Sequence, residues 1–476
     1  MGLVHAKEPN TPNIQQNIHS KKLRNFQKPE SSDSNNINSS NHINIEGVKA
    51  RVDKIFVEGL GRTKDDIVIH CVREMFKARD FSAVLHTATK ARQQLENLGC
   101  FRNIGVYIDT SKGPKSTPEG LDVTFYVKEH KRIVGGISTS VGNNSEGNLI
   151  VGLRSPNVFG RGERVQCEYS YGSRKTDNIS CSITKPLFTM RNSSISAGFF
   201  QTGSEWPWSG YRLVDKGLNV DFQFNSLPLI KHNLQWEGVI RNLSVTSRTT
   251  SFDVREESGP KLKSAIKHSV SIDQRDHKIF PTSGSYFVLT SEFAGLGGNV
   301  GFLKNDALIQ TNYSIVKDIV AQLVLHGGFL KGIGGKDITA HDKFYLGGPQ
   351  TLRGFQTRGV GPHSDGDALG SDIFWAAALH IYTPLPFRPG KGGFGDLFRT
   401  HAFVNLGSIG NFKFDDEILN NLRLLSTEMR LAYGLGIALK LGEIARIEVN
   451  YCIPAMWKKG DRLSSGIQFG VGVNFL

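Results

Sequence analysis

The stretch FYLGGPQTLRGFQTRGVG, Phe344 to Gly361, puts a guanidinium in an unusual frame. Arg353 stands between Leu352 and Gly354, Phe355 follows, and glycines lie on both sides. Glycine at this density marks a backbone that turns tightly or is approached closely. An arginine fork matches a carboxylate or several carbonyls. The chemistry such a segment offers is recognition and tethering.

Patterns for bond-breaking chemistry are missing. The fourteen histidines are scattered and form no HExxH. GGKD, Gly334 to Asp337, lacks the spacing of a phosphate loop. GLGGNV and GVGV are fragments of nucleotide loops, and Gly470 and Gly472 fall on one face of a strand pattern, where glycine leaves room for something packed close. No nucleophile elbow, paired carboxylates or metal set is visible, so no enzyme, cofactor or metal is expected. Cys71, Cys100, Cys167, Cys181 and Cys452 form no CxxC and no even set. That argues against a disulfide framework or zinc site and for a reducing or neutral compartment. The formal net charge of +13 favours an anionic partner such as a membrane surface. The charges are scattered and make no basic stripe interleaved with aromatics, so nucleic acid is not the expected partner.

The elements that must position Arg353 fall into three stretches. Residues 1–44, rich in Asn, Ser, Lys and Gln, read as a disordered polar tail. A cleavable presequence is the competing reading; Glu8, Glu30, Asp33 and the lone Arg24 argue against it. MGLVHA lacks the Ser/Thr of a myristoylation signal, and no apolar signal-peptide core is visible. Residues 45–129 read as a small α+β domain of order β-α-α-β-β. VDKIFVEGL is a strand. A helix over TKDDIVIHCVREMFKARD has Thr63 as its N-cap, and a second over DFSAVLHTATKARQQLENLG has Leu85, Ala88, Ala91, Leu95 and Leu98 on one face and Gly99 as its C-cap. FRNIGVYIDT and LDVTFYVKEH are strands.

From residue 130 to 476 strict alternation replaces helical spacing. Leu431, Tyr433, Leu435 and Ile437 oppose Ala432, Gly434, Gly436 and Ala438. Ile447, Val449 and Tyr451 oppose Arg446, Glu448 and Asn450; Ile467, Phe469, Val471, Val473 and Phe475 oppose Gln468, Gly470, Gly472 and Asn474. Such strands suit a soluble sandwich or a closed membrane barrel. Soluble strands run about five or six residues, whereas several of these run about nine to eleven, the length of a tilted strand crossing a bilayer. No apolar run is long enough for a transmembrane helix. At about ten residues per strand plus turns, the stretch accommodates about sixteen strands. The expected fold is mainly β: a 16-stranded antiparallel transmembrane barrel after one small α+β domain, its apolar face on the lipid bilayer and its polar face on a wet lumen.

Several segments carry a family resemblance. The N-terminal unit, with VEGLGRTKDDIV, resembles a polypeptide-transport-associated (POTRA) domain. DKFYLGGPQTLRGF, Asp342 to Phe355, is similar to the sixth-loop signature of the BamA-type barrel insertases, a hydrophobic residue followed by Arg-Gly-Phe or Arg-Gly-Tyr. One POTRA-like domain before such a barrel looks like the mitochondrial branch, the core subunits of the sorting and assembly machinery, over about residues 45–476. TPLPFRPGKGGFGDLFRTH and YGLGIALKLGEIARIEVNYC match as well. The resemblance implies a protein of the mitochondrial outer membrane, its POTRA domain in the intermembrane space, that folds β-barrel precursors into that membrane. It implies metaxin-type accessory subunits and leaves contacts with an inner-membrane organising complex open. A passive pore is the alternative function.

The resemblance also assigns residues. A lateral seam between the first strand, within Arg132–Gly142, and the last, within Gly466–Leu476, would admit an incoming hairpin. Gly135, Gly136, Gly470 and Gly472 weaken both strands, or equally serve barrel curvature. A C-terminal sorting signal fits Gln468, Gly470, Val473 and Phe475. The loop Leu352–Phe355 is placed in the lumen, its arginine on a wall motif Phe-x-Asp-x-Gly. The matching segment is FVNLG, Phe403 to Gly407, where Asn405 replaces the acid. Glu448, inward by parity, is the substitute wall partner, and Arg353 is expected to bond Asn405 or Glu448.

Overall fold

The structure, a computed structural model, describes residues 3–7, 47–114, 116–141, 147–174, 176–187, 192–316, 318–385, 394–411, 423, 425–442, 445–472 and 475–476. The chain divides into two compact units. One comprises Met1–Val134 and Ser155–Arg164, the other Gly135–Arg154 and Val165–Leu476.

The first unit is a four-stranded sheet in the order Leu3–Lys7, Arg51–Glu58, Gly120–Glu129, Phe101–Thr110, with helices at Asp65–Val72 and Phe81–Asn97. Arg51–Glu58 runs parallel to Gly120–Glu129, and Phe101–Thr110 pairs antiparallel with it. Ile55, Val57, Val72, Met75, Val84, Leu95, Val123 and Phe125 form its core. Three details differ from the sequence expectation. Leu3–Lys7, inside the supposed tail, forms a strand parallel to Lys54–Glu58, using that strand's free edge; residues 1–2 and 8–46 lie outside the described residues. The inner face of the second helix is Val84, Ala88, Ala91 and Leu95, whereas Leu85 is 36 % exposed. The first helix tightens into a 3-10 turn at Arg73–Lys77, and its N-cap is Lys64.

Thr63 has a different partner. Glu129 Oε1 accepts from the Thr63 hydroxyl (2.6 Å) and from the backbone N–H groups of Gly61 (3.1 Å), Arg62 (3.0 Å) and Thr63 (2.9 Å). Three successive amides thus cradle one carboxylate, an anion nest made from a turn. Arg62 adds an ion pair at 3.4 Å.

The second unit carries one sixteen-stranded antiparallel sheet. Each strand lies beside its neighbours in sequence, from Val134–Val141 at one edge to Gly466–Gly472 at the other. Among the described residues no helix is long and apolar enough to cross a membrane; the strands do the crossing. Leu435 and Phe469 are 66 % and 69 % exposed on the outer face, while Asn405, Glu448 and Asn450 are fully buried on the inner one. Several strands exceed the expected length: Ile230–Val245 runs sixteen residues and Phe302–Val316 fifteen. Every residue from Gly135 to Ser140 in the first strand is exposed. The two edge strands do not pair with each other among the described residues.

Burial pushes the Glu129 carboxyl up, but the Thr63 hydroxyl and the three amides outweigh it and hold the group below the usual glutamate range. A depressed folded-state pKa gives stability that is present above about pH 4.3, the ordinary value, and lost as pH falls through the folded value. Amide-exchange protection at Gly61–Thr63 should therefore fall on acidification below that point. Glu129→Gln should remove this pH dependence and cost about 1–3 kcal/mol of local stability at neutral pH.

Candidate functional site

The segment between the strands Ile319–Gly332 and Ile373–Thr383 enters the lumen of the sheet and is held there by its own backbone. Val360 N–H donates to Leu346 O (3.1 Å) and Gly348 N–H to Leu352 O (3.1 Å). A Cβ on Gly347, at φ 109°, would lie 2.6 Å from Gln356 O, so the fold-back requires glycine there. Leu352 and Phe355 are fully buried, in one cluster with Phe344, Leu346, Val360, Phe374 and Ile409.

That packing drives the Arg353 side chain into the wall. Arg353 is fully buried. Its Nη2 donates to Glu448 Oε2 at 2.7 Å, and its Nη1 donates to the Leu476 carbonyl. With the Asn405 amide turned so that its nitrogen donates to Val404 O (3.3 Å), its oxygen accepts from Arg353 Nη1 at 3.1 Å. The guanidinium also sits over the rings of Phe403 (5.1 Å) and Phe475 (5.5 Å). Arg353 therefore meets both wall residues, the charged bond going to Glu448. Asn450 Nδ2 donates to Glu448 Oε2 (3.0 Å). Arg446 Nε lies 2.9 Å from Glu448 Oε1 as an ion pair but outside hydrogen-bond alignment.

The last strand is bound to the same loop. Gln468 accepts from Gly354 N–H and donates to Phe355 O, both at 2.9 Å. A side-chain amide thus imitates one rung of a β-ladder. Gln350 Nε2 donates to Val471 O (2.7 Å), and Leu476 N–H donates to Gln350 O (3.0 Å). Val473 lies outside the described residues. Phe475 is not on the lipid face, where alternation puts it; it is buried in the lumen beneath Arg353 and Arg446. The described part of the strand is Gly466–Gly472, and residues 473–474 between it and Phe475 lie outside the described residues. Gly470 makes the room: an added Cβ would lie 2.8 Å from the Phe475 ring. Gly136 has no such neighbour, since nothing lies within 4 Å of the same test atom, so the two glycine sets differ in their packing.

Two further anchors escaped the sequence reading. Asp342 is bound by Arg241 Nη1 (2.9 Å to each oxygen) and lies 3.5 Å from Lys263 Nζ. Burial opposes its charge, but these two cations hold its carboxyl far below the usual range. Arg358 lies 3.9 Å above the Trp206 ring and 3.7 Å from that of Tyr345, and donates to Ser209 Oγ (2.9 Å) and Tyr211 OH (3.1 Å). Inward parity of Arg241 and Lys263 was the available signal for the first. Nothing in the local spacing pointed to the aromatic box of the second. Beside the loop is a cavity of about 1010 Å³, lined by Val288 and Leu308 and by residues of both edge strands, Thr139, Ser140, Val471 and Gly472.

Residues 157–475 match the Omp85 superfamily domain. The chain is 45 % identical to "Sorting and assembly machinery component 50 homolog A" of Xenopus laevis and 43 % identical to the Homo sapiens homologue, each match covering 91 % of this chain and 92 % of the relative. Among solved structures, BamA from Haemophilus ducreyi lacking POTRA domains 1–3 superposes with a TM-score of 0.71 at 18 % identity, over 89 % of this chain and 84 % of that one.

Removing one member of a buried ion pair strands the other charge. Glu448→Ala should destabilise the folded sheet by about 3–5 kcal/mol, read as a lower temperature for loss of the compact band on semi-native gels. Adding Asn405→Asp in that background restores an acid beside Arg353 Nη1 and should recover part of the loss. Arg358→Ala empties the aromatic box and should cost about 2 kcal/mol, with new protease cleavage confined to residues 340–361.

Proposed function

The chain belongs to the Omp85 superfamily, in its sorting and assembly machinery component 50 branch, and we infer from this that it folds and inserts β-barrel precursor proteins into an outer membrane. The observation that carries the reading is the two edge strands, Val134–Val141 and Gly466–Gly472, which do not pair with each other among the described residues. An edge presents a row of free N–H and C=O groups, a template for an incoming strand. An incoming hairpin extends the sheet at this seam, and the new barrel leaves sideways into lipid. Pairing supplies the free energy, with no covalent step and no cofactor.

In this proposal the membrane is the mitochondrial outer membrane. The first unit serves as a POTRA domain in the intermembrane space and receives precursors there. Metaxin-type subunits, and an inner-membrane organising complex, are its proposed companions. Leu352–Phe355 tether the loop through Glu448 and Asn405. Gln468, Gly470, Val473 and Phe475 serve as this chain's own sorting signal. The Gln468 contacts with Gly354 and Phe355 support that role, because a precursor strand with a large polar residue at the same place would meet the same donor and acceptor.

Depleting the protein from mitochondria should abolish assembly of radiolabelled barrel precursors, and wild-type chain should restore it. Arg353→Ala should restore it at a reduced rate. Normal assembly in depleted mitochondria would leave a passive pore as the function.

A further inference from the structure

Cys167 and Cys181 lie on the adjacent strands Arg164–Gly172 and Asp177–Leu187. Gly172 N–H donates to Thr176 O (2.7 Å), and Asn178 Nδ2 donates to Ser170 Oγ (3.0 Å). Both contacts fix one register, and counting back along it puts Cys167 directly opposite Cys181. The pair falls at a non-hydrogen-bonded site, where opposed side chains come closest. The two sulfurs are 2.6 Å apart; both thiols are free and half-buried. They share the outer face with Tyr169, Tyr171, Ile179 and Ile183, all of them exposed. The other three cysteines are buried. Burial pushes the thiols of Cys71 and Cys100 in the first unit up to about 12, which leaves them inert.

We propose that Cys167 and Cys181 form a redox-active dithiol that a small uncharged disulfide, able to enter the apolar outer face, oxidises to a cross-strand bond. One cysteine, as thiolate, attacks a sulfur of the reagent. A mixed disulfide forms and one reagent thiol leaves, carrying a proton. The second cysteine attacks the protein-bound sulfur, the cross-strand S–S bond forms, and the second reagent thiol leaves. Two protein S–H bonds are oxidised and the reagent disulfide is reduced to two thiols. The geometry favours the second step, because the resolving sulfur already faces its target. The clip joins the third and fourth strands of the sheet, close to the exposed first-strand edge.

The test treats the full chain in lipid nanodiscs with 2,2′-dithiodipyridine, followed by peptide mapping. The expected result is an intact mass lower by two hydrogens, a linked peptide joining Cys167 to Cys181, no retained pyridyl adduct on either, and reversal by a thiol reductant. Cys167→Ser should instead keep a pyridyl adduct on Cys181. A stable adduct on either cysteine of the wild-type chain would overturn the proposal. So would linkage of either one to Cys452 or to a second chain, or the absence of any reaction at the pair. The wild-type map decides even if the serine variant misfolds.

Discussion

Arg353 and Glu448 bring two full charges into a water-poor wall, and everything around them follows from that. A lone charge there would be expensive. The pair is tolerable because the guanidinium also finds the Asn405 oxygen and the Leu476 carbonyl, and the carboxylate also finds Asn450 and Arg446. Such a pair is a weak source of net stability and a strong source of position. It fixes where the loop can sit, because any displacement leaves both charges without their partners.

The loop position in turn sets the state of the last strand. Gln468, Gln350 and Leu476 tie that strand to the loop backbone, and Phe475 fills the space that Gly470 leaves. These contacts supply, on the inner side, part of the pairing that the strand lacks at its free edge. Among the described residues the seam is therefore open in its main-chain ladder and still held from within.

Much of this was legible in the sequence. Alternation gave the two faces correctly for Asn405, Glu448 and Gln468, because a continuous ladder propagates parity without error. It failed at Phe475, whose ring is drawn into the lumen by the guanidinium groups of Arg353 and Arg446. Thr63 was misread because a hydroxyl before an acidic first turn matches a helix cap; the competing partner, Glu129, lies on a strand sixty-six residues away. The Arg358 box was invisible because its walls, Trp206 and Tyr211, come from strands far removed in sequence. The cysteine pair was hidden for a different reason: an odd total says nothing about two residues that a hairpin register brings face to face.

The three loop anchors brace the sheet unevenly. Arg358 reaches the turn at Trp206–Tyr211, Asp342 reaches Arg241 and Lys263, and Arg353 reaches Phe403, Asn405 and Glu448. Among the described residues all three act on the later twelve strands and none on the first four. A hoop with spokes on one arc deforms on the other. Among the described residues the braced arc is the last-strand side of the seam, which makes that side its stationary jamb.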